Sequence, residues 1–270
     1  MPVAFFPYLS FPLDDKRYSG FLSPTLSNSS QSGYSVELPY YWNIAPNYDM
    51  TVTPIFYSKR GSMLSTENRF LTPTQLGDVK FGILPNDIQF NQFKNTAPAA
   101  YSQNTSSAVL EDLERLNESS TSRWYTSLND QANFSPNLEG KINYTHVSDD
   151  YLQEDIHLPS LISGQLLQSA NLNYSNEWLQ SSALVQRYQT LHPLNLLSNA
   201  NQYERLPDLT FNLQYPNPTY VNYLLNGEVV NFDRQLNPGE VFNSASGKPT
   251  SGTRSDIEPG FSIPWSNLYS

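Results

Sequence analysis

Apolar residues fall on every second position in stretch after stretch of this 270-residue chain, a period that admits half-buried strands and little else. In YSVEL, Tyr34, Val36 and Leu38 share one face; in DMTVTPIFYS, Met50, Val52, Pro54 and Phe56 oppose Thr51 and Thr53. The alternation returns with Val79, Phe81 and Ile83, with Ile142 and Tyr144, with Leu209, Phe211, Leu213 and Tyr215, and with Ile257, Phe261, Ile263 and Trp265. Short breaks at Pro46–Asp49, Thr72–Gly77, Pro136–Gly140, Ser175–Glu177 and Pro216–Thr219 alternate with long polar segments at Asn86–Thr121, Asp149–Gly164, Leu191–Glu204 and Gln235–Gly252. Two tighter hairpins, near Ser27–Gly33 and Arg60–Ser62, come first. Sorting loops by length onto opposite ends of a sheet predicts an all-β, antiparallel up-and-down transmembrane β-barrel of about twelve strands, with short periplasmic turns and long external loops. Sequence pattern alone leaves open a soluble secreted β-sandwich binding module, such as one for carbohydrate, whose two apolar faces would share a dry core.

Composition narrows the possible chemistry. The chain has no cysteine, which excludes disulfides within it, thiolate nucleophiles and cysteine-ligated metal. Its net charge of -10 argues against binding nucleic acid phosphates. Charged residues make up only 15% and aromatics 13%, the opposite of a disordered chain. No apolar run has the length of a transmembrane helix. The first residues, MPVAFFPYLSFPLDDKR, lack the basic-then-apolar order of a signal peptide.

One helix is expected, over AVLEDLERL, where Val109, Leu110, Leu113 and Leu116 are helically spaced. Motifs for nucleophilic, phosphate-binding or zinc chemistry are absent, so no catalytic residue, metal site or cofactor is predicted. His146 with Asp149 and Asp150 could compose a metal or acid–base site. Their place at the end of a strand reads instead as a solvated loop, to which Glu154 and Asp155 add generic acidity.

The first ninety residues carry a more specific signal. FPYLSFPLDDKRYSGFLSP, then LPYYWNIAPNYDMTVTP, then SKRGSMLSTENRFL resemble the LptD family of LPS-assembly proteins at the junction between its periplasmic jellyroll and its barrel. Beyond Pro85 the resemblance thins to strand spacing and echoes such as YTHVSDDYLQED and IEPGFSIPW. It implies that residues 1–18 are the end of the jellyroll (a strand near Val3–Leu13) plus a linker containing Asp14, Asp15, Lys16 and Arg17. Residues 19–270 would then be the N-terminal part of the barrel. The implied place is the Gram-negative outer membrane with the N-terminus periplasmic, and the implied role is a non-enzymatic conduit for lipopolysaccharide. Its implied partners are lipopolysaccharide, outer-membrane lipids, the LptE lipoprotein plug, the periplasmic bridge LptA acting through the jellyroll, and the remaining half of the barrel. An independent porin-like pore is the alternative within the membrane, requiring closure between the strands near Gly20 and Trp265.

Within that resemblance, which implies a release seam between the first and last strands of the whole barrel, Pro24 in GFLSPTL and Pro39 in VELPYYW fall in the first two barrel strands and match positions where the family's prolines weaken pairing. Proline donates no ladder hydrogen bond and is tolerated chiefly at edges. Both are therefore expected to form a lateral gate.

Overall fold

The computed structural model describes residues 16–103, 106–156, 164–194, 199–215, 221–241 and 250–263. Its strand segments are β1 (Gly20–Phe21), β2 (Thr25–Ser29), β3 (Gly33–Glu37), β4 (Tyr40–Ala45), β5 (Tyr48–Tyr57), β6 (Gly61–Leu71) and β7 (Gln75–Leu84). After them come β8 (Arg123–Ser135), β9 (Leu138–Val147), β10 (Gln165–Ser175), β11 (Leu179–Thr190), β12 (Glu204–Tyr215), β13 (Asn222–Asp233) and β14 (Ser251–Ser262). All described strands belong to one antiparallel sheet, with sequential neighbours paired from β4 to β14. β1 and β2 are two pieces of one strand, as are β3 and β4, so the wall is twelve strands wide, as the turn spacing predicts. The result is an up-and-down barrel wall with β1/β2 at one edge and β14 at the other.

Register puts the predicted apolar residues on a common face. Leu64, Ile83 and Trp124 are successive cross-strand partners, as are Val79, Leu128 and Tyr144, and Leu172, Ala183, Leu209 and Val229. The opposite face carries rows such as Asn173, Ser182, Thr210, Glu228 and Asp256. Among the described residues no second layer covers the apolar face: Phe56 is 48% exposed, Leu209 43% and Phe261 73%. That is incompatible with a sandwich, which exists to bury such a face. A continuous exposed apolar surface of this extent marks contact with lipid or protein.

The long connections cluster at one end. Helix α2 (Ser107–Glu118) includes the predicted AVLEDLERL segment. Two further helices, α1 (Ile88–Ala100) and α3 (Leu152–Ile156), correct the expectation of a single helix. α1 starts where the Asp87 carboxylate accepts the Phe90 amide at 2.9 Å, an N-cap of ordinary geometry. Its polar composition and an internal Pro98 hide it from a periodicity reading.

Buried apolar residues also lie at this end, on the otherwise polar face. Ile55, Met63, Leu84, Tyr125 and Val147 from the strands pack with Leu152 and Ile156 of α3 and with Leu191. Phe90, Ala97 and Leu116 gather around Tyr151 in a second cluster. The long loops thus fold over the sheet and form a cap. Beneath it β9 and β10 separate, and side chains replace the ladder: Gln168 donates to Thr145 O at 3.0 Å, while Gln189 accepts from Val147 N and donates to Val147 O.

Candidate lateral seam and loop-side cap

Both predicted gate prolines stand at the interruptions of the first two strands. Strand assignment stops after Phe21 and resumes at Thr25, next to Pro24, and stops after Glu37 and resumes at Tyr40, next to Pro39. Antiparallel neighbours in a closely bonded pair exchange two N–H···O bonds. Leu22 N donates to Pro39 O at 2.8 Å, but Pro39 has no N–H to return. One strand further in, Leu38 N donates to Pro54 O at 3.1 Å, and Pro54 likewise returns nothing. Pro39 and Pro54 therefore each leave one bond unreturned, on β3/β4 and β5, and Pro24 stands in the break between β1 and β2.

The interruption also resets register. Phe21 pairs with Tyr40 and Thr25 with Glu37, so four steps on the first strand oppose three on the second, as in a β-bulge. The extra residue keeps Phe21 and Leu26, of opposite parity, on the apolar face, where they are 81% and 76% exposed. Phe21 packs edge-on against Tyr40 with ring centroids 5.2 Å apart. Between β1 and β4 only two residue pairs remain.

Of the expected linker residues, Lys16 and Arg17 are described, whereas Asp14 and Asp15 lie outside the described residues, as does the expected jellyroll strand. Arg17 is held rather than loose. Its carbonyl accepts Asn43 Nδ2 at 2.8 Å, and its guanidinium lies 3.3 Å from Asp49, which Arg69 also pairs at 2.7 Å.

At the loop end stands a buried ionic network that the sequence reading missed. Arg60 follows β5, Asp87 caps α1, Arg123 opens β8, Asp149 follows β9 and Asp155 belongs to α3. Arg60 donates to Asp87 at 2.8 Å and to Asp155 at 2.6 Å. Arg123 donates to Asp87 at 2.6 Å and to Asp155 at 2.7 Å, and binds Asp149 through two nitrogens at 2.7 and 2.9 Å. The Arg123 guanidinium also covers the Phe90 ring at 4.0 Å.

The expected solvated, generically acidic loop is thus corrected at two positions: Asp149 is buried, and Asp155 bridges two arginines. Burial alone would raise the Asp149 carboxyl, but the Arg123 hydrogen bonds and charge outweigh it and hold the group below its usual range. Burial pushes neighbouring Asp150 up, with Arg115 offsetting only part of the cost. Burial also raises the Tyr151 hydroxyl to about 12, even though it accepts the Leu194 amide at 3.1 Å. His146 does not join Asp149. Its ring lies tilted against Trp124, centroids 5.4 Å apart, and meets Gln168 at 3.3 Å. Among the described residues no group of three or more histidines and acids is arranged to hold a metal ion; His157 lies outside them.

A family description, "LptD: LPS transport system D", matches residues 121–270. The chain belongs to the LptD family. The "LPS-assembly protein LptD" of Legionella pneumophila strain Paris is 36% identical over 266 residues, covering 97% of this chain and 30% of that protein. The protein of the same name in Coxiella burnetii strain RSA 493 / Nine Mile phase I is 33% identical, covering 98% of this chain and 31% of its own length. For Pseudomonas aeruginosa strain UCBPP-PA14 the values are 31% identity, 99% and 28%. The chain therefore spans under a third of the length of these relatives. The family match falls where the sequence itself offers only strand spacing and short echoes.

Proposed function

We propose that this chain forms the N-terminal part of an outer-membrane barrel that assembles lipopolysaccharide at the cell surface, with residues 1–18 as the end of a periplasmic jellyroll and linker. Its apolar face meets membrane lipid and its polar face lines a lumen that passes the sugar. The lipid leaves sideways at the seam weakened by Pro24 and Pro39. The N-terminus is periplasmic and the long loops are external.

The observation that carries this reading is the interruption of both seam strands beside those two prolines. Each lost ladder bond removes on the order of 1 kcal/mol in water, and more where lipid offers no replacement partner. A groove of about 590 Å³ across β10–β14 carries Asn173, Gln180, Thr210, Asn212 and Glu228 beside Tyr174 and Phe211, offering hydroxyl- and amide-bonding groups next to aromatic rings, a combination suited to sugar. Family membership supports the same substrate, with the LptE plug, the LptA bridge and the rest of the barrel as partners. The role is a conduit's and calls for no catalytic residue.

An independent porin-like pore is disfavoured, because β1/β2 and β14 do not pair with each other among the described residues. The test is a Pro24→Ala/Pro39→Ala double substitution in the full-length protein in cells. Slower arrival of lipopolysaccharide at the surface is expected; an unchanged rate would contradict the gate.

A further inference from the structure

The tip of the first hairpin, residues 30–32 between β2 and β3, is not free. Gly33 lies so close to the next turn that a Cβ there would come within 2.2 Å of Ser58 Oγ. Lys59 N donates to Ser32 O at 3.3 Å, and Lys59 Nζ to Ser30 O at 2.8 Å. Arg60, the next residue, is 2% exposed and splits its donors three ways. Nε donates to Gln31 O in the hairpin tip at 3.1 Å, Nη1 to the Asp87 carboxylate that caps α1 at 2.8 Å, and Nη2 to Asp155 of α3 at 2.6 Å. A guanidinium is a rigid fork, so displacing either carboxylate disturbs the direction of all its bonds. One side chain thus joins the cap and the seam hairpin.

We propose that Arg60 is a positioning residue that clamps the loop-side half of the first hairpin to the cap, so that the β2 half of the edge strand is held in place while the cap is seated. This rests on the reading of the seam as a lateral gate. The consequence for that gate is directional. On the edge strand, which would face the last strand of the whole barrel, the β1 half is held to β4 by two residue pairs and moves first; the β2 half follows only after the cap lets go of Arg60.

Asp155→Asn tests the clamp without touching the hairpin, since it leaves the Arg60–Asp87 and Arg123–Asp149 pairs in place. The full-length protein is kept in native outer membranes, and a nitroxide is attached at Ser30→Cys, exposed at the hairpin tip, with the signal of the unsubstituted protein subtracted. Parallel labels sit at Glu154→Cys in α3 and at Glu177→Cys in a turn at the opposite end of the sheet. The clamp predicts that Asp155→Asn shortens the rotational correlation time at Ser30 by about two-fold or more, a modest coupling for two linked elements. Glu177 should be unaffected, and Arg60→Lys, which replaces a fork by a single ammonium, should fall between. Freed motion at Glu154 with none at Ser30 would overturn the clamp, as would equal loosening at Glu177. A freed Ser30 with unchanged lipopolysaccharide arrival would uphold the clamp and overturn the gate reading beneath it.

Discussion

The cap and the middle of the seam handle polar groups in opposite ways, although both involve the first hairpin. In the cap, two arginines and three aspartates are withdrawn from water and paired so completely that Asp87, Arg60 and Arg123 have almost no exposed surface. At the seam, backbone bonds that a sheet would normally make are absent at Pro39 and Pro54, and Leu22 to Pro24 form no strand. The contrast shows where the sheet resists motion and where it permits it, within one hairpin whose loop end is tied and whose middle is slack.

The largest effect is expected from breaking the tied end. Removing one partner of a buried ion network leaves charges without compensation, at a cost of about 3–5 kcal/mol. Arg123→Ala strands Asp149 and takes a partner from Asp87 and Asp155, so it should lower the midpoint of heat-induced loss of cap structure far more than any seam substitution. Differential scanning calorimetry in detergent checks this, and a midpoint equal to the parent's would contradict the network's role.

Acid should release the same region more gradually. Asp149 is held below the ordinary carboxylate range, so its contribution is fully present above the unfolded value of about 4 and is lost as pH falls through the lower, folded value. A label at Glu154 should therefore stay immobile from neutral pH down to about 4 and become mobile only below it. Release at pH 6 would show that another group controls the cap.

The seam and the cap were unequally legible in the sequence. Strand faces could be read because a period of two leaves no other assignment, and Pro24 and Pro39 stood out because each interrupts such a run. The cap was obscured because its charges come from turns and loop ends far apart in the chain, and proximity of Arg60 to Asp155 follows only from the sheet's register. Asp149 and Asp155 looked generic beside Asp150 and Glu154. A usable signal was present: in a chain with only 15% charged residues, an arginine in the tight Arg60–Gly61 hairpin invites a search for its partner. Asp87 immediately before Ile88 was also an N-cap signature. In the sequence Pro54 is one more apolar position, because its lost bond is visible only when Leu38 is placed opposite.

The smallest effect, and the most direct view of the central claim, lies in the backbone amides of the seam. Hydrogen–deuterium exchange on the membrane-embedded full-length protein should show Leu22 and Leu38 exchanging much faster than amides at the middle of β8 and β9. Replacing Pro24 and Pro39 by alanine should slow them, by roughly the ten-fold that a bond of about 1.4 kcal/mol confers. Equal protection across the seam and β8–β9, unchanged by the substitutions, would contradict the account.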